Sequence, residues 1–340
     1  MIESPERPVA ASEDVLRVDD LRAYFIVGSY GVSREVRAVD GATLRVRRGE
    51  VYGLAGESGS GKTTLVKTLA GAVRPPLQVV GGSVRYEFGG REVDIYDPAT
   101  DLSRLRWRHL SYIMQGSMSV LNPVRKVRHS FYDFAFPHMD LGRAAFWRAV
   151  EDHLRKLQLD PAILDSYPHQ LSGGMRQRTT IALATVCHPE FIIADEPTTA
   201  LDVIVQRDVL KMIKEVQRQQ GSSIVFVTHD MSVHATIADR IGIVYAGRLV
   251  EEAPAEQLFE DPKHPYTVHL IGSLPRIGDD RPRESLTGRP PNLADPPPGC
   301  RFHPRCPLAI DKCKRETPPL EGPHGGSRVA CWRAGEARIG

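Results

Sequence analysis

Long apolar runs are missing from this 340-residue chain. No stretch approaches the ~18 consecutive apolar residues that a membrane-spanning helix requires. The opening "MIESPERPVAASEDV" carries acids and prolines where a secretory signal has a basic start and an apolar core. Both absences point to a cytosolic protein, which can still dock onto a membrane protein. Charge of one sign is scarce as well: 44 Lys+Arg stand against 42 Asp+Glu, a net of +2. That balance is too mild for a protein that coats nucleic acid. The local runs Arg104 to Arg108 and Arg125 to Arg128 read as solvated helix faces. Internal repeats and sustained heptads are absent too. Cysteine is rare, with five in the chain, but four of them fall at or beyond residue 300. In a reducing compartment such a cluster reads as metal ligands before disulfides.

At this length the chain can bury a full-sized core and carry a further module. Residues 1–14 read as a disordered leader. From Val15 to about Pro262, apolar strand-like runs alternate with helical segments, the pattern of an α/β domain. After "DPKHPYT" the composition changes, and residues 275–299 hold seven prolines, which suits an extended, loop-rich segment. A boundary near 265 divides the chain into an ATPase-like part (15–264) and a tail (265–340).

The strongest local signal is "EVYGLAGESGSGKTTLVKTLAG", residues 50–71. Val51 to Ala55 suit a buried strand, and Thr63 to Leu69 open a helix. Between them lies Gly56-x-x-x-x-Gly61-Lys62-Thr63, the phosphate-binding loop in its strand-to-helix setting. Gly56, Ser58, Gly59, Ser60 and Gly61 let backbone N–H groups turn around phosphates, Lys62 reaches the β- and γ-phosphates, and Thr63 with Thr64 opens the helix. The Thr63 hydroxyl is placed to ligate Mg²⁺. The site is expected to bind a nucleoside triphosphate. "FIIADEPTTALD" (191–202) supplies the complement. After a short buried strand, Asp195 is placed to hold Mg²⁺ and Glu196 to polarise an attacking water.

The segment "YPHQLSGGMRQRTTIALATVCHP" (167–189) carries a resemblance. Leu171 to Arg178 is similar to the signature motif of the ATP-binding cassette (ABC) family, at the usual distance before the Asp-Glu strand. Gln115 in "SYIMQGSMSVLNP" resembles the Q-loop glutamine, Ala200-Leu201-Asp202 the D-loop, and His229 in "SIVFVTHD" the switch histidine. The resemblance implies a P-loop NTPase of the ABC type: an α/β fold with antiparallel β and helical subdomains, the latter about 116–178. It implies that Ser172, Gly173 and Gly174 face the γ-phosphate held by an opposite cassette, and that Gln115 senses Mg²⁺ and a membrane partner. It sets Phe25 against the adenine, with Tyr24 and Tyr30 as competitors. Cys187 reads as a small buried hydrophobe.

"HPYTVHLIGSLP" (264–275) and "PPGCRFHPRCPLAIDKC", with the proline-rich stretch between, resemble the C-terminal extension of dipeptide and oligopeptide importer ATPases. That resemblance implies a loop-rich C-terminal domain and a position on the cytoplasmic face of the membrane. It also implies a pair of transmembrane permease subunits, a paralogous ATPase as heterodimer partner (or a second copy), and an extracytoplasmic binding protein that delivers substrate. Peptides are the expected cargo, with oligosaccharides open. A soluble cassette ATPase acting on ribosomes or DNA is the alternative, disfavoured by the single phosphate loop. Cys300, Cys306, Cys313 and Cys331 supply four thiolates at spacings that leave an iron–sulfur cluster and Zn²⁺ equally open. The resemblance implies a [4Fe–4S] cluster. Arg301, Arg305, Lys312 and Arg315 are candidates to offset its negative charge.

Overall fold

The computed structural model describes residues 13–29, 32–116, 120–199, 201–274, 286, 288–324 and 326–337. The expected leader lies outside them except for its last two residues, and Asp14 already begins a strand. Strands β1 (Asp14–Ser29), β2 (Val32–Arg47) and β3 (Val51–Ala55) lead into helix α1 (Lys62–Leu69). Then come β4 (Leu77–Phe88), β5 (Arg91–Asp94), a short α2 (Leu102–Leu105) and β6 (Leu110–Ile113). Helices α3 (Val127–Phe134), α4 (Arg143–Lys156) and α5 (Gly173–Thr185) precede β7 (Phe191–Asp195) and α6 (Val203–Gln220). The remainder is β8 (Ser223–Val227), α7 (Met231–Ile237), β9 (Arg240–Tyr245), β10 (Arg248–Pro254) and α8 (Ala255–Glu260). The tail adds α9 (Pro265–Gly272), α10 (Asp311–Arg315), β11 (Glu321–His324) and β12 (Ser327–Val329).

Two sheets organise these elements. One is antiparallel, in the order β2-β1-β4-β5; the other runs β11-β12-β10-β9-β3-β8-β7-β6. Its centre, β9-β3-β8-β7-β6, is parallel. Every residue of β3, β7 and β8 is buried, which explains their unbroken apolar runs, since a parallel sheet is covered on both faces. On one face, Leu54, Ile193 and Val225 pack with Leu65, Val66 and Leu69 of α1 against Leu16, Leu21 and Leu44 of the antiparallel sheet. On the other, Ile192, Ile224 and Phe226 meet the helices through residues such as Phe131, Phe146, Ile181 and Val209.

The composition changes near 265, but the packing does not divide there. Tyr266 and Phe302 of the tail share a buried cluster with Ala55, Ile241 and Tyr245. Strand β12 pairs with β10, so the tail extends the central sheet. Three tail arginines each reach a carboxylate of the preceding part: Arg301 to Asp40, Arg305 to Glu57 and Arg328 to Glu252. The tail is thus packed onto the sheet that carries the phosphate loop.

Candidate functional site

The loop between β3 and α1 is fixed by close approach. A Cβ at Gly56 would lie 2.2 Å from the Val244 carbonyl, and one at Gly61 would lie 2.1 Å from that of Ala38. Both residues also have positive φ (145° and 101°), so a side chain is excluded twice over. No side chain caps the first turn of α1, so its backbone N–H groups and partial positive charge are open to an anion. Lys62 Nζ donates to the carbonyls of Gly56 (2.6 Å) and Glu57 (2.9 Å), which curls the side chain over the loop. Burial lowers its pKa, against the pull of Glu196, Asp195 and Glu57.

Asp195 ends β7 and is fully buried. Tyr112 of β6 donates to its Oδ2 at 3.2 Å, while Oδ1 has no hydrogen-bond partner. Burial pushes this carboxyl up to about 6, offset in part by the Tyr112 hydroxyl. A buried, unpartnered carboxylate oxygen is costly unless something charged meets it, so this side chain fits a Mg²⁺ ligand. Glu196 follows with φ 47°, rare outside glycine, and its N–H is locked onto the Val227 carbonyl at 2.9 Å. That turn swings its carboxylate away from the direction the strand would give it. Gln115 Nε2 and Thr199 Oγ1 donate to Oε2, each at 2.9 Å, and His229 Nδ1 lies 3.2 Å from Oε1. Burial alone would raise the Glu196 pKa; the bonds to His229 and Thr199 outweigh it and hold the group ionised below its usual range. Three of the expected site residues, Gln115, Glu196 and His229, therefore meet at one carboxylate.

Ser172 caps α5, its Oγ accepting from the Met175 N–H at 3.3 Å, so Gly173 and Gly174 form the helix's open first turn. Asp202 caps α6, accepting from the N–H groups of Ile204 (3.1 Å) and Val205 (2.9 Å). Ala200, beside it, lies outside the described residues. Among the described residues no hydrogen bond joins Ser172, Gly173 or Gly174 to residues 56–64.

Comparison with known proteins now decides the family. The description "ABC transporter" matches residues 39–199, and "Oligopeptide/dipeptide transporter, C-terminal region" matches residues 250–313. The dipeptide transport ATP-binding protein DppD of Caldanaerobacter subterraneus is 37% identical over 95% of this chain and 98% of that protein. The oligopeptide transport ATP-binding protein OppD of Salmonella typhimurium is 38% identical over 94% of this chain and 93% of that one. The chain belongs to the ATP-binding subunits of the oligopeptide/dipeptide ABC transporter family. Its fold is similar to that of the ATP-binding cassette MJ0796 bound to ADP and Pi, with TM-score 0.61 and 23% identity over 71% of this chain and 98% of that one.

In this ABC subunit Phe25 lies on β1, half-buried, opposite Val36 of β2 and Leu77 of β4, and packs against the core under the antiparallel sheet. Its competitor Tyr24 is committed elsewhere, donating to Asp40. Tyr30 lies outside the described residues. Cys187 sits just past α5, half-buried, with its thiol pushed up to about 11 by burial.

Cys300, Cys306, Cys313 and Cys331 line one small cavity with Phe302, Trp332 and Arg333. All four are free thiols. Burial pushes Cys300 up to about 11 and Cys331 to about 12, and raises Cys306. Among the described residues no group of three or more His, Cys, Asp or Glu side chains is set to hold a metal ion. Of the residues expected to offset charge there, Arg301 and Arg305 turn away to Asp40 and Glu57, whereas Lys312 stays beside the cavity, 3.6 Å over the Trp332 ring of its wall. The arginine that lines the cavity is Arg333. Thr199, Tyr112 and Glu57 escape the motif reading. Only Glu57 leaves a signal in the sequence, as an acid inside a loop built for phosphates.

Proposed function

We propose that this subunit binds and hydrolyses Mg²⁺·ATP and uses the cycle to drive peptide uptake through a membrane permease. One observation carries the reading: Gln115, Thr199 and His229 converge on an ionised Glu196 beside the buried Asp195. The loop 56–61, Lys62 and Thr64 hold the triphosphate by backbone N–H groups and charge, and Phe25 stacks on the base. Thr63, Asp195 and Gln115 would hold Mg²⁺, which would supply positive charge against the triphosphate. Glu196 orients the attacking water, and His229 holds Glu196 in place. Ser172, Gly173, Gly174 and Asp202 act on the nucleotide of a second cassette, a paralogue or another copy. Two permease subunits on the cytoplasmic face and an extracytoplasmic binding protein complete the importer. Peptide as cargo rests on the names of the relatives. Among the described residues no helix is long and apolar enough to cross a membrane. The family assignment disfavours a soluble ribosome or DNA ATPase. Glu196→Gln should keep ATP binding and lower hydrolysis by orders of magnitude, and Lys62→Ala should weaken binding itself. Hydrolysis by Glu196→Gln at the wild-type rate sinks the assignment.

For the tail we propose a [4Fe–4S] cluster rather than Zn²⁺. Four thiols border one cavity, the number a cubane cluster needs, and the resemblance of the cysteine segment to importer ATPases that carry such a cluster favours it over zinc. Its role is to fold a segment with few apolar residues. Anaerobic purification should give a brown protein, and Cys306→Ser should lose the colour and loosen the tail to protease. A colourless preparation with about one zinc per chain excludes the cluster.

A further inference from the structure

Glu57 stands second in a loop whose ligand is expected to be strongly anionic, and a bare carboxylate there would repel it. Its partner comes from the far end of the fold. Arg305, in a 3-10 turn of the tail (His303–Arg305), forms a two-armed pair with it: Nη1 to Oε2 at 2.9 Å and Nη2 to Oε1 at 3.1 Å. Only 6% of the Arg305 side chain is exposed. The guanidinium is itself braced, since Nη1 donates to the Tyr245 hydroxyl at 3.3 Å and the group lies over the Tyr245 ring.

The tail holds the same residue a second time. The Glu57 N–H donates to the hydroxyl of Tyr266 on α9 at 2.8 Å, and Tyr266 is fully buried against Tyr245 and Phe302. Pro290, Pro291 and Leu293 border the loop from outside, beside residues 57–60. On the inner side, the Glu57 carbonyl accepts from Lys62 Nζ at 2.9 Å and from the Ser60 N–H at 3.2 Å. One residue therefore joins a grip from the tail to the phosphate-binding lysine.

We propose that Arg305 is a positioning residue for the phosphate loop: by clamping Glu57 it fixes the loop and cancels a carboxylate that would otherwise oppose ATP. Nucleotide affinity is then set partly by the tail. The same turn ends at Cys306, so whatever folds the cysteine segment also seats the clamp. This inference rests on the reading of residues 56–64 as the ATP site.

The test measures Mg²⁺·ATP binding to the full chain, and ATPase kinetics in the assembled transporter. Wild type must bind ATP; if it does not, the ATP-site reading fails and not the clamp. Arg305→Met should bind about tenfold more weakly, as befits loss of a charge-assisted, two-armed pair. The loss should appear in KM rather than in kcat, a split that a merely loosened structure would not give. Arg305→Lys keeps the charge without the fork and should recover part of the affinity. If Arg305→Met proves loose to protease, Tyr266→Phe carries the test, because it releases the Glu57 N–H while keeping the ring's packing. It should weaken binding several-fold. Wild-type affinity in Arg305→Met, or in a folded Tyr266→Phe, overturns the proposal.

Discussion

Glu196 shows how a side chain becomes a tool. It sits at positive φ, its N–H is pinned by Val227, and its two oxygens are held by Gln115, Thr199 and His229. Fixing a carboxylate beforehand spares the reaction the cost of orienting it. Thr199→Val should therefore lower kcat about three- to tenfold with little change in KM, as for loss of one positioning hydrogen bond. Steady-state ATPase measurements decide it, and an unchanged kcat would remove Thr199 from the site. Gln115, Glu196 and His229 could be read from motifs because each lies in a recognisable local string. Thr199 and Tyr112 lie in the same strings as Glu196 and Gln115, but their residue types announce no role there. A threonine or tyrosine acquires its role only when the chain brings it to a carboxylate, and that meeting leaves no periodic trace.

Helices α5 and α6 are each started by a side chain that also belongs to the candidate site. Asp202 accepts two N–H groups at the head of α6, an 18-residue helix whose buried Val209, Leu210 and Ile213 pack against the core. Asp202→Ala should cost about 1 kcal/mol of stability, the usual toll for losing an N-cap. A urea titration would show the midpoint shift, and no shift would mean that water caps α6 equally well. Strands β3 and β7 were readable as short apolar runs because burial on both faces leaves no polar alternation to confuse them. β1 and β2 were harder. Each spans 16 residues with several register shifts, so inward and outward positions change phase along the strand. β11 and β12 were invisible: four and three residues long, with Gly322 and Pro323 among them, they are strands only because β10 offers an edge.

Across the molecule, buried histidines set an acid limit; besides His264, which burial lowers to about 3, two more contribute. Burial lowers His153 to about 4, helped by the positive neighbours His188 and Lys156, and lowers His234 to about 4, although the Thr228 and Leu54 backbone favours its charged form. In the unfolded chain both titrate near 6.5, so between about pH 6.5 and 4 the unfolded state binds more protons. Stability is therefore complete above about 6.5 and is lost as the pH falls, by up to about 2 kcal/mol for each histidine at pH 5. Calorimetry from pH 7 to 5 should show a falling Tm, partly offset by Asp195, whose raised carboxyl takes up a proton in the folded state over the same window, and a rising Tm would mean that the rings are not held neutral. The tail's attachment was the largest feature beyond reach of the sequence. Arg301 and Arg305 read in the sequence as partners of the cysteines and Arg328 as an ordinary basic residue; that each belongs to a carboxylate in the preceding part is a fact of tertiary packing.

The pairing of β12 with β10 also bears on how the protein is made. Translation delivers β10 long before residues 327–329, and during that interval its outer row of N–H and C=O groups has no partner. An open, hydrogen-bonding edge on an otherwise finished sheet is a template for any other extended segment nearby, including the same edge of a neighbouring nascent chain. Closing that edge is left to a strand encoded far downstream.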